Sequence, residues 1–482
     1  MEEVLFTSLR RLFSRTFGKE AEAIVPLPVS GSARRYFRMR SGEVSVIGVY
    51  NADSKENQAF LAFSRHFSSK GLPVPALLAE DLAQNIYLEE DLGDETLFAY
   101  RSRSVGFTPE LKEKYRSVLQ NLLVFQTKGA EGMDTSWCYP RDCFDAQSIA
   151  WDLNYFKYYF LKLAHVPFDE QKLENDFQTL TNFLLQAENR FFLYRDFQSR
   201  NIMLKGEALY FIDYQGGRKG ALPYDVASLL YDGKADIPAE VRDELLAFYL
   251  EKLEASGVWP VKEFRKYYPA FVLVRILQAM GSYGYRGFYE RKTHFLGSVP
   301  YALRNLTYLL EHSQWEVAFP HLRSVLLSLS SSEQLAALST EPLTLDVRSF
   351  SFRKGLPPDE SGHGGGFVFD CRSLPNPGRE EAYRHLTGQH PEVIAYLERQ
   401  GSVAVYFEHV KSLVENALDN YQSRNFTHLS VSFGCTGGQH RSVYFAERLA
   451  AYFRKKYPLI QVRLTHSAAG SWDVESTNAG GK

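Results

Sequence analysis

Between Phe191 and Gln215 the chain reads FFLYRDFQSRNIMLKGEALYFIDYQ, and no other stretch constrains its fold as tightly. Apolar runs flank a polar loop, the pattern of a strand–loop–strand unit. Asp196 sits in the loop, Asn201 follows five residues later, and Asp213 ends the next apolar run. A loop Asp can orient a hydroxyl, and an Asn across the turn can share a divalent cation with a second Asp on the following strand. Phosphoryl transfer needs those parts: positioning, cations to neutralise phosphate oxygens, and one acceptor for the hydroxyl proton. The competing reading is a polar loop whose Asp and Asn make only turn and capping bonds. The YFI run before Asp213 and the β-rich segment upstream favour the first.

The rest of the 482 residues falls into zones of different texture. Up to about residue 90, short apolar runs such as VSVIGVY at Val44–Tyr50 alternate with turn signals around one helical stretch, Lys55 to Lys70. From about 95 to 325 long helical patterns rich in Leu, Phe and Tyr dominate. The Ser-rich stretch Leu326–Glu341 reads as a linker, and strands and helices alternate after Leu343. The fold class expected is an α+β two-lobed domain over 1–324, a linker over 325–344, a smaller α/β domain over 345–470 and a flexible tail over 471–482. The net charge of −2 excludes a chain that is basic throughout. Four cysteines, Cys138, Cys143, Cys371 and Cys435, fit neither a disulfide framework nor a zinc pattern. With no signal-peptide core and no apolar run long enough to span a bilayer, the expectation is a cytoplasmic protein without a membrane partner. There is no internal repeat and no G-x4-G-K-[ST] loop.

YRDFQSRN, FIDYQ and PYDVASLL (Pro223–Leu230) resemble the aminoglycoside-phosphotransferase-like kinases, which share the protein-kinase-like fold. SGSARRYFR at Ser30–Arg38, LEEDLGDETL at Leu88–Leu97 and VLVRILQAMGSYGYRGFYER at Val272–Arg291 are similar to the anomeric N-acetylmuramate/N-acetylglucosamine kinases of that family. The resemblance implies Asp196 as the base, Asn201 and Asp213 as magnesium ligands, Asp225 as support for the catalytic loop, and ATP as co-substrate. It makes Gly31, Ser32, Arg34, Arg35 and Arg38 a phosphate-covering turn, and Glu89, Glu90 and Asp91 part of a hinge against the purine. The strand VIGVYN lacks the phosphate-pairing Lys, which leaves Glu56 of the following helix without its usual partner. An arginine of the Arg34–Arg38 group then takes over the phosphates, or nucleotide binding is weak.

A second constellation follows the apolar strand that begins at His428, where GCTGGQHRS leads into a helix. Strand, glycine-rich loop and helix N-terminus aim backbone N–H groups at one point, an arrangement that suits an anion. Cys435, Thr436, Gly437, Gly438, Gln439, His440, Arg441 and Ser442 form the loop, with Arg441 as a fork for phosphate. Cys435-x5-Arg441 also has the spacing of cysteine-dependent phosphatases, although Gly434 replaces the His usual there. FDCRSLPNPGREEAYRHLTGQHPEVIAYLE at Phe369–Glu398 together with GCTGGQHRSVYFAERLA resembles the C-terminal domain of the RapZ family of RNase adapters. That resemblance implies a pocket for an amino-sugar phosphate around the loop and Asp370, Arg372, Asn376, His385, Thr387, Gly388 and His466. The family's nucleotide-binding half is absent. From Asp346 onward 16 Lys+Arg stand against 14 Asp+Glu, a balance that gives RNA little to grip.

The function expected is therefore ATP-dependent phosphorylation of a hydroxyl on a small amino sugar, with the anomeric one of N-acetylglucosamine or N-acetylmuramate as the first candidate, and with a C-terminal sugar-phosphate sensor. The alternative is a non-catalytic sensor or RNA-binding adapter.

Overall fold

The computed structural model describes residues 2–27, 34–336, 338, 343–358, 366–423, 426–457 and 460–472. The chain divides into two compact units, Met1–Ser339 and Thr340–Lys482.

The first unit begins with helix α1 (Glu2–Phe17) and strands β1 (Ala23–Pro26), β2 (Arg35–Ser41) and β3 (Val44–Tyr50). Helix α2 (Ser54–Ser69) and strands β4 (Leu77–Asp81) and β5 (Ile86–Glu90) complete an antiparallel sheet of order β1-β2-β3-β5-β4. The two-residue side-chain period splits the sheet into faces. Phe37, Met39, Val46 and Leu88 pack with Leu5, Leu9 and Phe13 of α1. Ile47, Val49 and Tyr87 face the other way, into a core with Phe60 and Phe63 of α2 that continues through the helices beyond. Gly48 stands on the α1 face because a Cβ there would meet Met39 Sδ at 2.9 Å and Leu9 Cδ2 at 3.0 Å.

The helical lobe runs through α3 (Leu97–Arg103), α4 (Pro109–Gln126), α5 (Ala146–Phe156), α6 (Glu170–Leu184), α7 (Pro223–Leu230), α8 (Ala239–Ser256), α9 (Val261–Gly284), α10 (Val299–His312), α11 (Pro320–Ser330) and α12 (Glu333–Ala336). Between α6 and α7 lie two short ribbons. One pairs β6 (Phe191–Leu193) with β9 (Arg218–Gly220), and the other pairs β7 (Ile202–Lys205) with β8 (Ala208–Phe211). The expected linker is corrected at its start. Residue 325 lies inside α11, which buries Leu322, Val325, Leu326 and Leu329 on one helical stripe.

The second unit is a parallel sheet of order β11-β12-β10-β13, built from β10 (Thr344–Ser351), β11 (Phe367–Asp370), β12 (His428–Cys435) and β13 (Gln461–His466). Helices α13 (Pro391–Glu398), α14 (Gly401–Ser423) and α15 (Arg441–Lys456) accompany it. Its own core joins Leu345, Val347, Val431 and Phe433 of the sheet to Phe445, Leu449 and Phe453 of α15. Among the described residues no helix is long and apolar enough to cross a membrane.

Candidate functional site

The two ribbons of the helical lobe bring Asp196, Asn201 and Asp213 together. Asn201 Nδ2 donates to the Asp196 carbonyl at 2.9 Å and to Asp213 Oδ2 at 3.1 Å. Gln215 Nε2 holds the other Asp213 oxygen at 2.7 Å. Arg195 and Asp213 both occupy the left-handed region, at φ 82° and 69°, a strain that the surrounding bonds must sustain. Burial pushes the Asp213 carboxyl above the usual range, and the neighbouring Asp196 carboxylate pushes it further.

The loop is fixed from behind. Asp225 on α7 is fully buried and accepts the backbone N–H of Tyr194 at 2.7 Å and of Arg195 at 3.0 Å. Tyr194 OH donates to the Ile212 carbonyl at 2.7 Å, tying the loop to the residue before Asp213. Arg195 forks onto Asp152 at 2.8 and 2.5 Å and reaches Tyr224 OH at 2.6 Å. Asp232 accepts from Ser199 Oγ at 2.6 Å. Asp152 and Asp232 escape sequence reading because each is an isolated polar residue on another element with no motif around it, and Gln215, the last residue of FIDYQ, has a role that only its bond to Asp213 reveals.

In the β-lobe the three arginines do not act as one group. Arg34 is buried and lies 3.4 Å from Glu56, with its guanidinium 5.5 Å from the Phe60 ring. Asn51 Nδ2 holds the second Glu56 oxygen at 2.7 Å. Arg34 thus occupies the place of the missing strand Lys as partner of Glu56, and its charge also acts on Asp213. Arg35, one residue on, faces the α1 side and stacks on Phe37 at 5.2 Å. Arg38 Nε and Nη2 donate to Asp91 at 2.8 and 3.0 Å, and Nη1 donates to Asp94 at 3.0 Å. Arg35 and Arg38 are therefore corrected as phosphate groups. Strand alternation turns the first away, and carboxylates hold the second. Gly31 and Ser32 lie outside the described residues. Of the hinge group, Glu90 pairs with Lys205 at 2.6 Å, Asp91 anchors Arg38, and Glu89 is buried beside Arg34 with its carboxyl pushed up to about 8, chiefly by burial.

Asp213 and Asn201 offer hard oxygens, the donor type that magnesium takes. Among the described residues no three His, Cys, Asp or Glu side chains converge as a metal cage. A cation held here would be completed by phosphate and water oxygens, which is magnesium's habit. The donor set fits such an ion.

In the second unit the loop after β12 folds around its own cysteine. Gly438 N donates to Cys435 Sγ at 3.2 Å, and Ser442 Oγ lies 3.1 Å from the same sulfur. Gly438 has φ 69°, and a Cβ there would meet Ala468 Cβ at 2.7 Å and Ser351 N at 2.9 Å. Ser351 Oγ donates to the Thr436 carbonyl at 2.8 Å. Gly388 N donates to the Gln439 carbonyl at 2.9 Å, and His440 Nε2 sits 2.8 Å from the Tyr383 carbonyl. Burial lowers the His440 pKa, which favours the neutral ring. His466 bridges Ser349 Oγ at 2.8 Å and Glu447 at 3.1 Å. Arg372 forks onto Asp370 and stacks on Phe352 at 4.0 Å.

Arg441 corrects the expectation of an open phosphate fork. It is 4% exposed, and its Nη1 donates to the carbonyls of Arg372 at 3.0 Å and Leu374 at 2.9 Å. The side chain turns back under the loop and ties it to the segment after β11. Arg441→Ala is expected to destabilise the C-terminal unit by about 2–4 kcal/mol, because two buried carbonyls lose their donor. Urea denaturation of the full chain would read this, and an unchanged profile would count against the anchor.

An antiparallel lobe and a helical lobe, with an Asp–Asn–Asp loop beside an Arg–Glu pair, make up a two-lobed protein-kinase-like fold. Residues 24–261 match the family described as Phosphotransferase enzyme family, and residues 343–469 match the RapZ C-terminal domain. The two matches fall on successive parts of the chain, and neither reaches half of its length. A "Nucleotide-binding protein" of Hahella chejuensis is 41% identical over 124 residues, 26% of this chain and 42% of that one. Another, of Methylobacillus flagellatus, is 45% identical over 121 residues, 25% of this chain and 41% of that one. The chain spans about two fifths of the length of these curated relatives. Among solved structures, a choline kinase from Cryptosporidium parvum is 13% identical with a TM-score of 0.45, covering 68% of this chain and 100% of that one.

Proposed function

We propose that the chain transfers the γ-phosphoryl group of ATP to a hydroxyl of a small amino sugar, with the anomeric hydroxyl of N-acetylglucosamine or N-acetylmuramate as the leading acceptor. The observation that carries this reading is the convergence of Asp196, Asn201 and Asp213 in one loop system that Asp225 holds from behind. Asp196 orients the acceptor hydroxyl and takes its proton as the oxygen bonds to the γ-phosphorus and the bond to the β,γ-bridging oxygen breaks, leaving ADP. Asn201 and Asp213 would hold magnesium, which when bound neutralises phosphate charge. Arg34, oriented by Glu56, faces the phosphates in place of a strand Lys. The loop Cys435–Ser442 is proposed to take a sugar phosphate through its backbone N–H groups, with Arg441 as its anchor and Arg372 and His466 at its border.

Incubation with magnesium-ATP and a panel of amino sugars, followed by mass spectrometry of the products, tests the reading. One sugar should gain a phosphoryl group. Arg34→Gln should raise KM for ATP about 10- to 100-fold, the effect of losing a charged hydrogen-bonding group at a phosphate. Nucleotide binding without transfer to any sugar would favour the sensor or adapter reading instead.

A further inference from the structure

Two arginines flank the catalytic loop, and only one has its charge answered. Arg195 is bound on both nitrogens by Asp152. Arg218 opens β9, opposite Leu193 in register, and is 7% exposed. Its Nε donates to the Gly216 carbonyl at 3.0 Å, and among the described residues it makes no ion pair and no other hydrogen bond. Gly216 packs against the loop: a Cβ there would lie 3.7 Å from Arg195 Cγ and 3.9 Å from Asp196 Oδ2. The guanidinium is therefore anchored one residue from the Asp196 carboxylate. Asp152, the other acidic group near it, is already committed to Arg195.

A guanidinium this buried without an ion-pair partner is destabilising, and an anion arriving with a ligand would offset that. Two sets of charges share Asp196. Arg34 and Glu56 act with it on the Asp213 carboxyl, and Arg195 and Asp152 act with it on the Arg218 guanidinium. If the first set serves the nucleotide phosphates, Arg218 is left to the acceptor. We infer that Arg218 is a specificity residue that binds an anionic group, a carboxylate or a phosphate, carried by the sugar whose hydroxyl Asp196 orients. The inference rests on the phosphotransferase reading and narrows its acceptor from amino sugars in general to acidic ones.

The test compares kcat/KM for N-acetylglucosamine, N-acetylmuramate and N-acetylglucosamine 6-phosphate with the full chain and magnesium-ATP. One acidic sugar should exceed the neutral one about 10- to 100-fold, as a charge-assisted bidentate contact implies. The preferred acid tells the carboxylate source from the phosphate source. Arg218→Gln should bring the acid-to-neutral ratio to near one, mainly through KM, and Arg218→Lys should keep part of it. Because the substitution removes a buried unpaired charge, the melting temperature of Arg218→Gln should hold or rise. Equal kcat/KM for all three sugars would overturn the inference and leave the kinase reading standing, as would a variant that slows all three alike or melts earlier. Transfer to none of the three would sink the sugar reading, and this inference with it.

Discussion

Asp213→Ala is expected to abolish phosphate transfer, and Asp196→Asn to lower kcat about 10²–10⁴-fold, the range for loss of a positioned general base. The two carboxylates are coupled. Burial raises the Asp213 pKa first, and the charge on Asp196 raises it further. A carboxyl raised in this way gains a proton as the pH falls, and a protonated carboxyl is a poor cation ligand, so cation affinity should weaken toward acid. Asp196→Asn removes the second cause. The acid limb of cation binding should then move to lower pH even though turnover is much slower. Manganese titration by electron paramagnetic resonance, in the presence of ADP, reads that limb without needing activity. Full turnover in Asp213→Ala would defeat the assignment, and an unmoved limb in Asp196→Asn would separate the two carboxylates.

The parts of this site that lie close in sequence were the legible ones. Asp196, Asn201 and Asp213 fall within 18 residues and share one strand–loop–strand unit, so spacing alone brings them near. Asp225 follows within the next helix and was readable from PYDVASLL. The β-lobe arginines were misread as a cluster because spacing in a strand hides the alternation of faces. Arg34 and Arg35 are neighbours in sequence yet act on opposite sides of the sheet. The partners of Arg38 lie more than 50 residues away, at Asp91 and Asp94, and no local pattern announces them. The expected linker was misled by serines. In α11 Ser328 and Ser330 bond back to the carbonyls of Val325 and Leu326, which leaves the leucine stripe free to pack. Strand β10, one of the two interior strands of the C-terminal sheet, is hard to read because TLDVRSFS does not look buried. Asp346 and Arg348 pair with each other inside it, so their charges are carried at low exposure. The loop from Cys435 to Ser442 was legible as a loop, but the inward turn of Arg441 depends on carbonyls 67 and 69 residues away.

Asp225→Ala is expected to cost about 3–5 kcal/mol, the largest stability effect of any single substitution considered for this fold, because two backbone N–H groups of the catalytic loop lose their acceptor in a dry interior. The carboxylate takes Tyr194 N at 2.7 Å and Arg195 N at 3.0 Å, with Gln126 Nε2 at 3.4 Å completing the set. Gln126 is itself fixed by Tyr249 OH at 2.7 Å and donates to the Leu222 carbonyl at 3.1 Å, so the loss would spread into α4 and α8. Arg195 at φ 82° has the loop's least favourable backbone, and Asp225 is what holds it there. Activity should therefore fall together with stability, whereas Asp196→Asn should leave stability nearly intact. The pH dependence has a definite sign. Burial pushes the Asp225 carboxyl up to about 7 against the pull of its N–H donors, while the unfolded chain titrates near 4. The folded state thus binds the proton more tightly, and the contribution of Asp225 is greatest below about pH 4 and declines as the pH rises to about 7. The stability gap between the wild type and Asp225→Asn, which has no proton to bind there, should narrow across that window and level off above it. Urea denaturation at pH 5 and pH 8 would measure the gap. A gap unchanged between pH 5 and pH 8 would mean that the N–H donors outweigh burial and that Asp225 is charged throughout.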